Sequence, residues 1–191
     1  MATLSQVGIY GVGNGILHPK QKNRWNVTFV GLGRNAGNPL DISMQVKSCS
    51  RPKISWEEIT LDRYNSRSYI AGKHTWDPLN LVVEDDVTNK ASTMIQRQLE
   101  AQQRLIGADG PWLNVEATAS TYKFATIITQ LDGNEGILEQ WRCQGCFVSN
   151  VDYDGLDYSD ASALTINLTI RFDHAQQTIQ PNNLGSAIGG M

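Results

Sequence analysis

Cysteine is scarce in this chain, with only Cys49, Cys143 and Cys146 in 191 residues. An odd count of this kind argues against a disulfide framework. Charge is scarce too. Asp, Glu, Lys and Arg make up 18% of the chain and balance to −3, so no bulk basicity draws it to nucleic acid. Asn, Gln, Ser, Thr and Gly fill the gap, a polar but weakly charged composition that suits a surface covered by copies of the same chain. No apolar run approaches the roughly 18 residues of a membrane span. The opening MATLSQVGIYGVGNG has neither a basic start nor an apolar core, so no signal peptide is expected, and the expected compartment is the cytoplasm or whatever assembles there.

The catalytic and cofactor motifs are equally thin. GLGRNAG at 31–37 follows a strand pattern, but Asn38-Pro39 comes next where a dinucleotide fingerprint needs a helix N-terminus for the pyrophosphate. Cys143-Gln-Gly-Cys146 has redox or zinc spacing, yet it lies in a strand pattern. It has no second pair, only Cys49 and the scattered His18, His74 and His174. The expectation is two small buried residues. Glu84, Asp85 and Asp86 are read as acids at a helix start, where the dipole favours negative charge, rather than as an acid and base pair. Asp152-x-Asp154-Gly-x-Asp157 lacks the closing Glu of a calcium loop, since Ala163 stands at position twelve. No enzyme, cofactor or metal is expected. A small-ligand β-barrel, or an enzyme built on Cys143 and Cys146, is the rival from another class.

What the chain does carry is alternation. Trp25, Val27 and Phe29 share one face of a strand, as do Ile42, Met44 and Val46, then Leu79, Leu81 and Val83 after a break at Pro78. Leu164, Ile166, Leu168, Ile170 and Phe172 are expected to face inward in the clearest strand of all. TYKFATIITQLD and GILEQWRCQGCFVSNVDYD flank a turn at DGNEG. Residues 89–106 form the one convincing helix, with Met94, Ile95, Leu99, Gln102, Leu105 and Ile106 near one stripe. Thr88 or Asn89 is expected to cap its start and Gly107 its end. ISWEEITLDRY, a turn at NSRS, and SYIAGKHTW form a long charged ribbon over 54–76. The sum is a mainly β chain with one packed α-helix, an antiparallel β-sandwich or barrel from which the ribbon is surplus. The whole of 1–191 reads as one domain. Residues 1–23 are irregular and residues 175–191 are expected to be a flexible tail.

The run from Ile54 to Asp86, with Trp76, Asp77, Pro78, Leu79 and Leu81 at the ribbon's exit, resembles the tail tube proteins of contractile-tailed bacteriophages. Tyr122 with Lys123, and Glu139, Trp141 and Gly145, continue that resemblance over roughly residues 24–174. The family also includes the inner tubes of type VI secretion and of contractile injection systems. The resemblance implies hexameric rings in which each long hairpin completes a ring-wide inner β-barrel. Stacked rings then form a hollow tube that conducts DNA from capsid to host without binding it specifically. It implies as partners the chain itself, a sheath protein, baseplate and tail-terminator proteins and a tape measure protein in the lumen, with no membrane. The particle would be a virion tail assembled in the host cytoplasm. The ribbon positions Trp56, Glu57, Glu58, Asp62, Arg63, Tyr64, Arg67, Tyr69, Lys73 and Trp76 would then lie between subunits or face the lumen, with Glu57, Glu58 and Asp62 the leading lumen candidates. A baseplate tube initiator, a tail terminator and an injection-system tube are the alternatives within this class. The first 23 residues and the tail beyond Ala175 exceed the simplest family members and are expected to reach neighbouring rings.

Overall fold

The computed structural model describes residues 20–33, 45–103, 122–131 and 136–179. Ile42, Met44, Leu105, Ile106, Gly107, the first four residues of the DGNEG turn and the tail beyond 179 lie outside them. In chain order the elements are β1 (Trp25–Val30), β2 (Val46–Cys49), β3 (Ile54–Arg63), β4 (Ser66–Trp76), β5 (Leu79–Glu84), α1 (Lys90–Gln103), β6 (Phe124–Leu131), β7 (Ile137–Tyr153), β8 (Thr165–Arg171) and β9 (His174–Ile179). Every pairing is antiparallel.

The sheet path runs β1–β6–β7–β8–β5–β2, with β9 also on β7. The 17-residue β7 serves two half-sheets. Its first half lies between β6 and β9, and its second half pairs with β8. The corner is Gly145, at φ +68°. A Cβ there would stand 2.7 Å from Asp173 Cγ, so the position needs both the left-handed conformation and the space that glycine provides. Asp173 N donates to Gln144 O at 3.0 Å and holds the opposite strand through the same corner.

The two half-sheets enclose one core. Val27, Phe29, Phe124 and Ile128 come from one side, and Leu79, Leu81, Val83, Ile166, Leu168 and Ile170 from the other. Phe29 and Phe124 meet edge to face, 6.3 Å between centroids. Cys143 and Cys146 are both fully buried in this core. A plain strand would send i and i+3 to opposite faces; the corner at Gly145 brings the two together.

Three expectations are corrected. Leu164 precedes β8 and is exposed, because the inward alternation begins only at Ile166. The tail is not free from Ala175: β9 pairs Ala175 with Cys143 and buries it, since the first half of β7 would otherwise present an open edge. The ribbon's turn is the two residues Tyr64 and Asn65, with Tyr64 at φ +22° and Arg63 paired to Ser66, so Ser66–Ser68 already belong to β4.

The helix buries Ala91, Met94, Ile95 and Gln98 and half-buries Leu99 and Gln102, a stripe at three- and four-residue spacing. Asn89 holds the N-cap position, its carbonyl accepting from Thr93 N at 2.9 Å, and Asp86 Oδ1 accepts from Lys90 N at 3.4 Å. Asn89 N donates to Asp86 O at 2.9 Å, and Thr88 Oγ1 to Asp86 Oδ2 at 2.6 Å. Gln98 was invisible to a hydrophobic stripe, yet it is fully buried. Its Oε1 accepts from Gly33 N at 3.0 Å, and its Nε2 donates to Tyr122 O at 2.7 Å and to Gln102 Oε1 at 3.1 Å. Gln102 completes the line, donating to Val148 O at 2.8 Å and accepting from Val148 N at 2.9 Å. A side-chain amide thus stands in for a neighbouring strand at Val148. Gln98→Leu leaves Gly33 N–H and Tyr122 C=O unpaired in the core, and is expected to cost about 2 kcal/mol in chemical denaturation.

Candidate assembly interface

β3 and β4 form a two-stranded sheet, and no other described strand pairs with either. Among the described residues, both outer edges of the ribbon therefore present unused backbone donors and acceptors. Cross-strand pairing sorts the side chains. One face carries Trp56, Glu58, Thr60 and Asp62 opposite His74, Ala71, Tyr69 and Arg67. The other carries Ile59, Leu61 and Arg63 opposite Ile70, Ser68 and Ser66, with Glu57 on the same side of β3 at the register shift. The register shifts between Trp56 and Glu58, where β4 uses three residues against two of β3. Gly72 sits in that bulge with room only for a hydrogen, since a Cβ would stand 3.1 Å from Glu57 O and 3.3 Å from Ile59 Cγ1.

Neither face is covered. Trp56 is 56% exposed, Ile59 50%, Tyr69 61% and Ile70 52%, and Tyr64 at the tip is fully exposed. Ile59 and Ile70 are direct cross-strand partners, so with half-buried Leu61 they make a continuous aliphatic strip. A strip of this kind is a feature of surfaces that find partners. On the other face Arg67 Nε donates to Asp62 Oδ1 at 2.7 Å. Both groups are largely exposed, so the pair contributes well under about 1 kcal/mol.

The structure separates the residues grouped by sequence. Glu57 lies on the opposite face from Glu58 and Asp62, so the three acids do not line one surface. Arg63 shares Glu57's side; Arg67 shares that of Asp62. Trp76 leaves the exposed set altogether. Its ring packs on Phe172 at 5.5 Å and edge-on to His74 and His174, fixing the ribbon to the core.

The root of the ribbon is held by a charge that sequence reading passed over as a site. The Glu139 side chain is 3% exposed. Lys20 Nζ lies 2.5 Å from Oε2, Arg51 Nη2 pairs with Oε1, and Trp141 Nε1 donates to Oε1 at 2.6 Å. Burial pushes this carboxyl up, but the hydrogen bonds from Lys20, Trp141 and Arg51 together outweigh it and hold it at about 2. Arg51 stands three residues before β3. Lys53 O accepts from Asp77 N at 3.0 Å, and Ser50 N donates to Asn80 O at 2.9 Å. β7, the segment at Lys20 and the ribbon's root are thereby tied at one point. Glu139, Trp141 and Gly145, three of the positions that carried the resemblance, acquire physical roles: buried acid, its indole donor and the corner.

No group of three or more His, Cys, Asp or Glu is placed to hold a metal among the described residues. Burial pushes the Cys143 thiol up to about 12, with the neighbouring Cys146 and Cys49 adding to the effect, and it pushes Cys49 to the same range. Such burial disfavours the thiolate form.

No protein-family model matches the chain, and no curated protein does. Solved structures do. A chain of the anti-feeding prophage baseplate aligns with a TM-score of 0.65 at 15% identity, over 85% of this chain and 97% of that one. A chain from the tube-terminating cap of the same particle aligns at 0.63 and 14%, over 90% and 100%. One from the sheath–tube complex of an extracellular contractile injection system aligns at 0.56 and 14%, over 94% and 100%. The chain has the tail-tube fold: antiparallel sheets, one described helix and a projecting ribbon.

Proposed function

We propose that the chain is a structural subunit of the inner tube of a contractile tail, that six copies close into a ring, and that rings stack into a hollow tube. The observation that carries this is the ribbon, a two-stranded sheet with both edges unpaired and both faces uncovered among the described residues. Such a ribbon is a liability in a monomer and is relieved by pairing around a closed ring. The six-fold symmetry of the similar baseplate structure supports the number of copies. Mechanism here is assembly rather than catalysis. A sheath, a baseplate, a terminator and, inside the lumen, a tape measure protein are the proposed partners, and a phage tail assembled in the host cytoplasm is the proposed setting.

The ribbon's two faces suggest its orientation. The Ile59–Leu61–Ile70 strip suits contact with a neighbouring subunit. The face with Glu58 and Asp62 against the single guanidinium of Arg67 suits the lumen, where DNA has to slide. Each Lys or Arg contact to phosphate adds salt-dependent affinity, and this face offers few. Two of the three similar structures described above come from assemblies at a tube's end, so a subunit seated at one end of the tube is the second reading.

Negative-stain electron microscopy of the purified chain tests the proposal. Hollow tubes of uniform width support the tube subunit, and single rings that never stack support the end subunit. Dispersed monomers, unchanged after baseplates are added as nuclei, overturn both.

A further inference from the structure

A groove of 640 Å³ opens between β1, β6 and the start of β7 on one side and β2 with the β2–β3 linker on the other. Trp25, Ile128 and Trp141 form its apolar wall. Around it stand Lys20, Lys22, Lys47, Arg51 and Lys53, with Glu139 as the buried acid. One carboxylate does not balance five cations. Lys47 also reaches Glu84 at 3.4 Å, but Lys22 and Lys53 have no acidic partner among the described residues. In a chain of net charge −3, this concentration of positive charge over an indole-lined floor is a local inversion.

The complementary surface is on the same chain. The segment between β7 and β8 carries Asp154, Asp157 and Asp160, with Leu156 and Tyr158 fully exposed. It is not a loose acidic run. Asp157 accepts from Ser159 N at 2.9 Å and Asp160 from Ser162 N at 2.9 Å, which holds both carboxyls below their usual range. The segment therefore presents fixed negative charge beside two large apolar side chains. None of its residues lines the groove. Glu139 stands near the start of β7 and the segment leaves β7's end, so a strand of 17 residues separates the two surfaces.

We infer that the groove receives the 154–160 segment of a second copy of this chain, with its aspartates over the lysine rim and Leu156 or Tyr158 against the tryptophan wall. A patch and its complement at different places on one surface make a head-to-tail contact, which closes into a ring or propagates as a filament. The inference rests on the self-assembly proposed above and deepens it, assigning one contact between subunits that the ribbon does not make. Charge across such a contact gives register and partner choice, and weakens with salt.

Zero-length carbodiimide coupling of the native chain, in a 1:1 mixture of unlabelled and ¹⁵N-labelled protein, tests it. The expected products are mixed-isotope peptides joining Lys22 or Lys53 to Asp154, Asp157 or Asp160. Lys22→Glu with Lys53→Glu, both on the surface, is expected to raise the concentration needed for association at least tenfold. Adding Asp157→Lys and Asp160→Lys to that variant is expected to restore it. Mixed-isotope links that map only elsewhere, no mixed links at all, or unchanged association of the double lysine variant would each overturn the contact. Microscopy of the same samples reads the tube separately. Tubes with links elsewhere retain the tube and remove this contact, and links at the named residues without rings or tubes do the reverse.

Discussion

Replacing residues 56–74 with an Asn-Gly turn between Ser55 and Thr75 is expected to abolish self-association and leave a folded monomer. The two halves of the expectation have different origins. The ribbon contributes little to its own chain's core: its strands pair with no other described strand, and Trp56, Ile59, Tyr69 and Ile70 are each half-exposed or more. Trp76, which does pack on Phe172, is retained, so the unfolding midpoint should move by only a few degrees. The loss to assembly is larger. Covering Ile59 and Ile70, each about half buried already, contributes roughly 1 kcal/mol apiece. Together that is about 2 kcal/mol, or between one and two decades in an association constant, before any edge hydrogen bonds are counted. Sedimentation velocity across a concentration series reads the first half and thermal denaturation the second. A ribbonless chain that still forms rings would remove the ribbon from the interface.

Glu139→Gln is expected to be costly and to be so in a pH-dependent way. Its carboxyl is depressed from 4.5 to about 2. A depressed acid stabilises the folded state fully above its unfolded value and progressively less as pH falls toward the folded one. The contribution is therefore present at pH 7, begins to fade near pH 4.5 and is lost close to pH 2. Its size is about 3 kcal/mol from the shift, and nearer 2 once the partial exposure of Lys20 and Arg51 is allowed for. Glu139→Gln should lower stability by that amount at pH 7 in urea denaturation. The difference from the parent should shrink steadily between pH 4.5 and 2, where the parent's own acid is protonated. A constant difference across that range would show that the carboxylate's charge is not what holds the site.

How much of this was legible in advance depends on the distance over which each signal acts. β1, β5 and β8 were readable because a strand's alternation is local: Val27 and Phe29, or Ile166, Leu168 and Ile170, declare their face within six residues. The ribbon was readable for the opposite reason, since its alternation offered no core side. Gln98 was missed because a hydrophobic stripe scores side chains by polarity, whereas this amide is buried by satisfying Gly33 and Tyr122, groups 65 and 24 residues away. β9 was missed because its run HAQQTI is mostly polar, with small Ala175 buried against the core, and its order comes from the edge of β7 it covers. The split of Glu57 from Glu58 was implicit in the strand period. The groove was not, because Lys20, Lys53 and Trp141 converge only after the sheet is built.

The corner at Gly145 has a mechanical consequence. One continuous backbone, β7, is laced into both half-sheets, and the β8–β9 segment follows it round the same bend. Tension directed along that backbone meets its cross-strand bonds in shear, so many must fail together. Tension directed across it would open them one after another. A subunit built this way behaves as a stiff brick along one direction and a weaker one along another. The heading of β7 relative to the line of thrust would then decide whether a column of such subunits survives being driven forward.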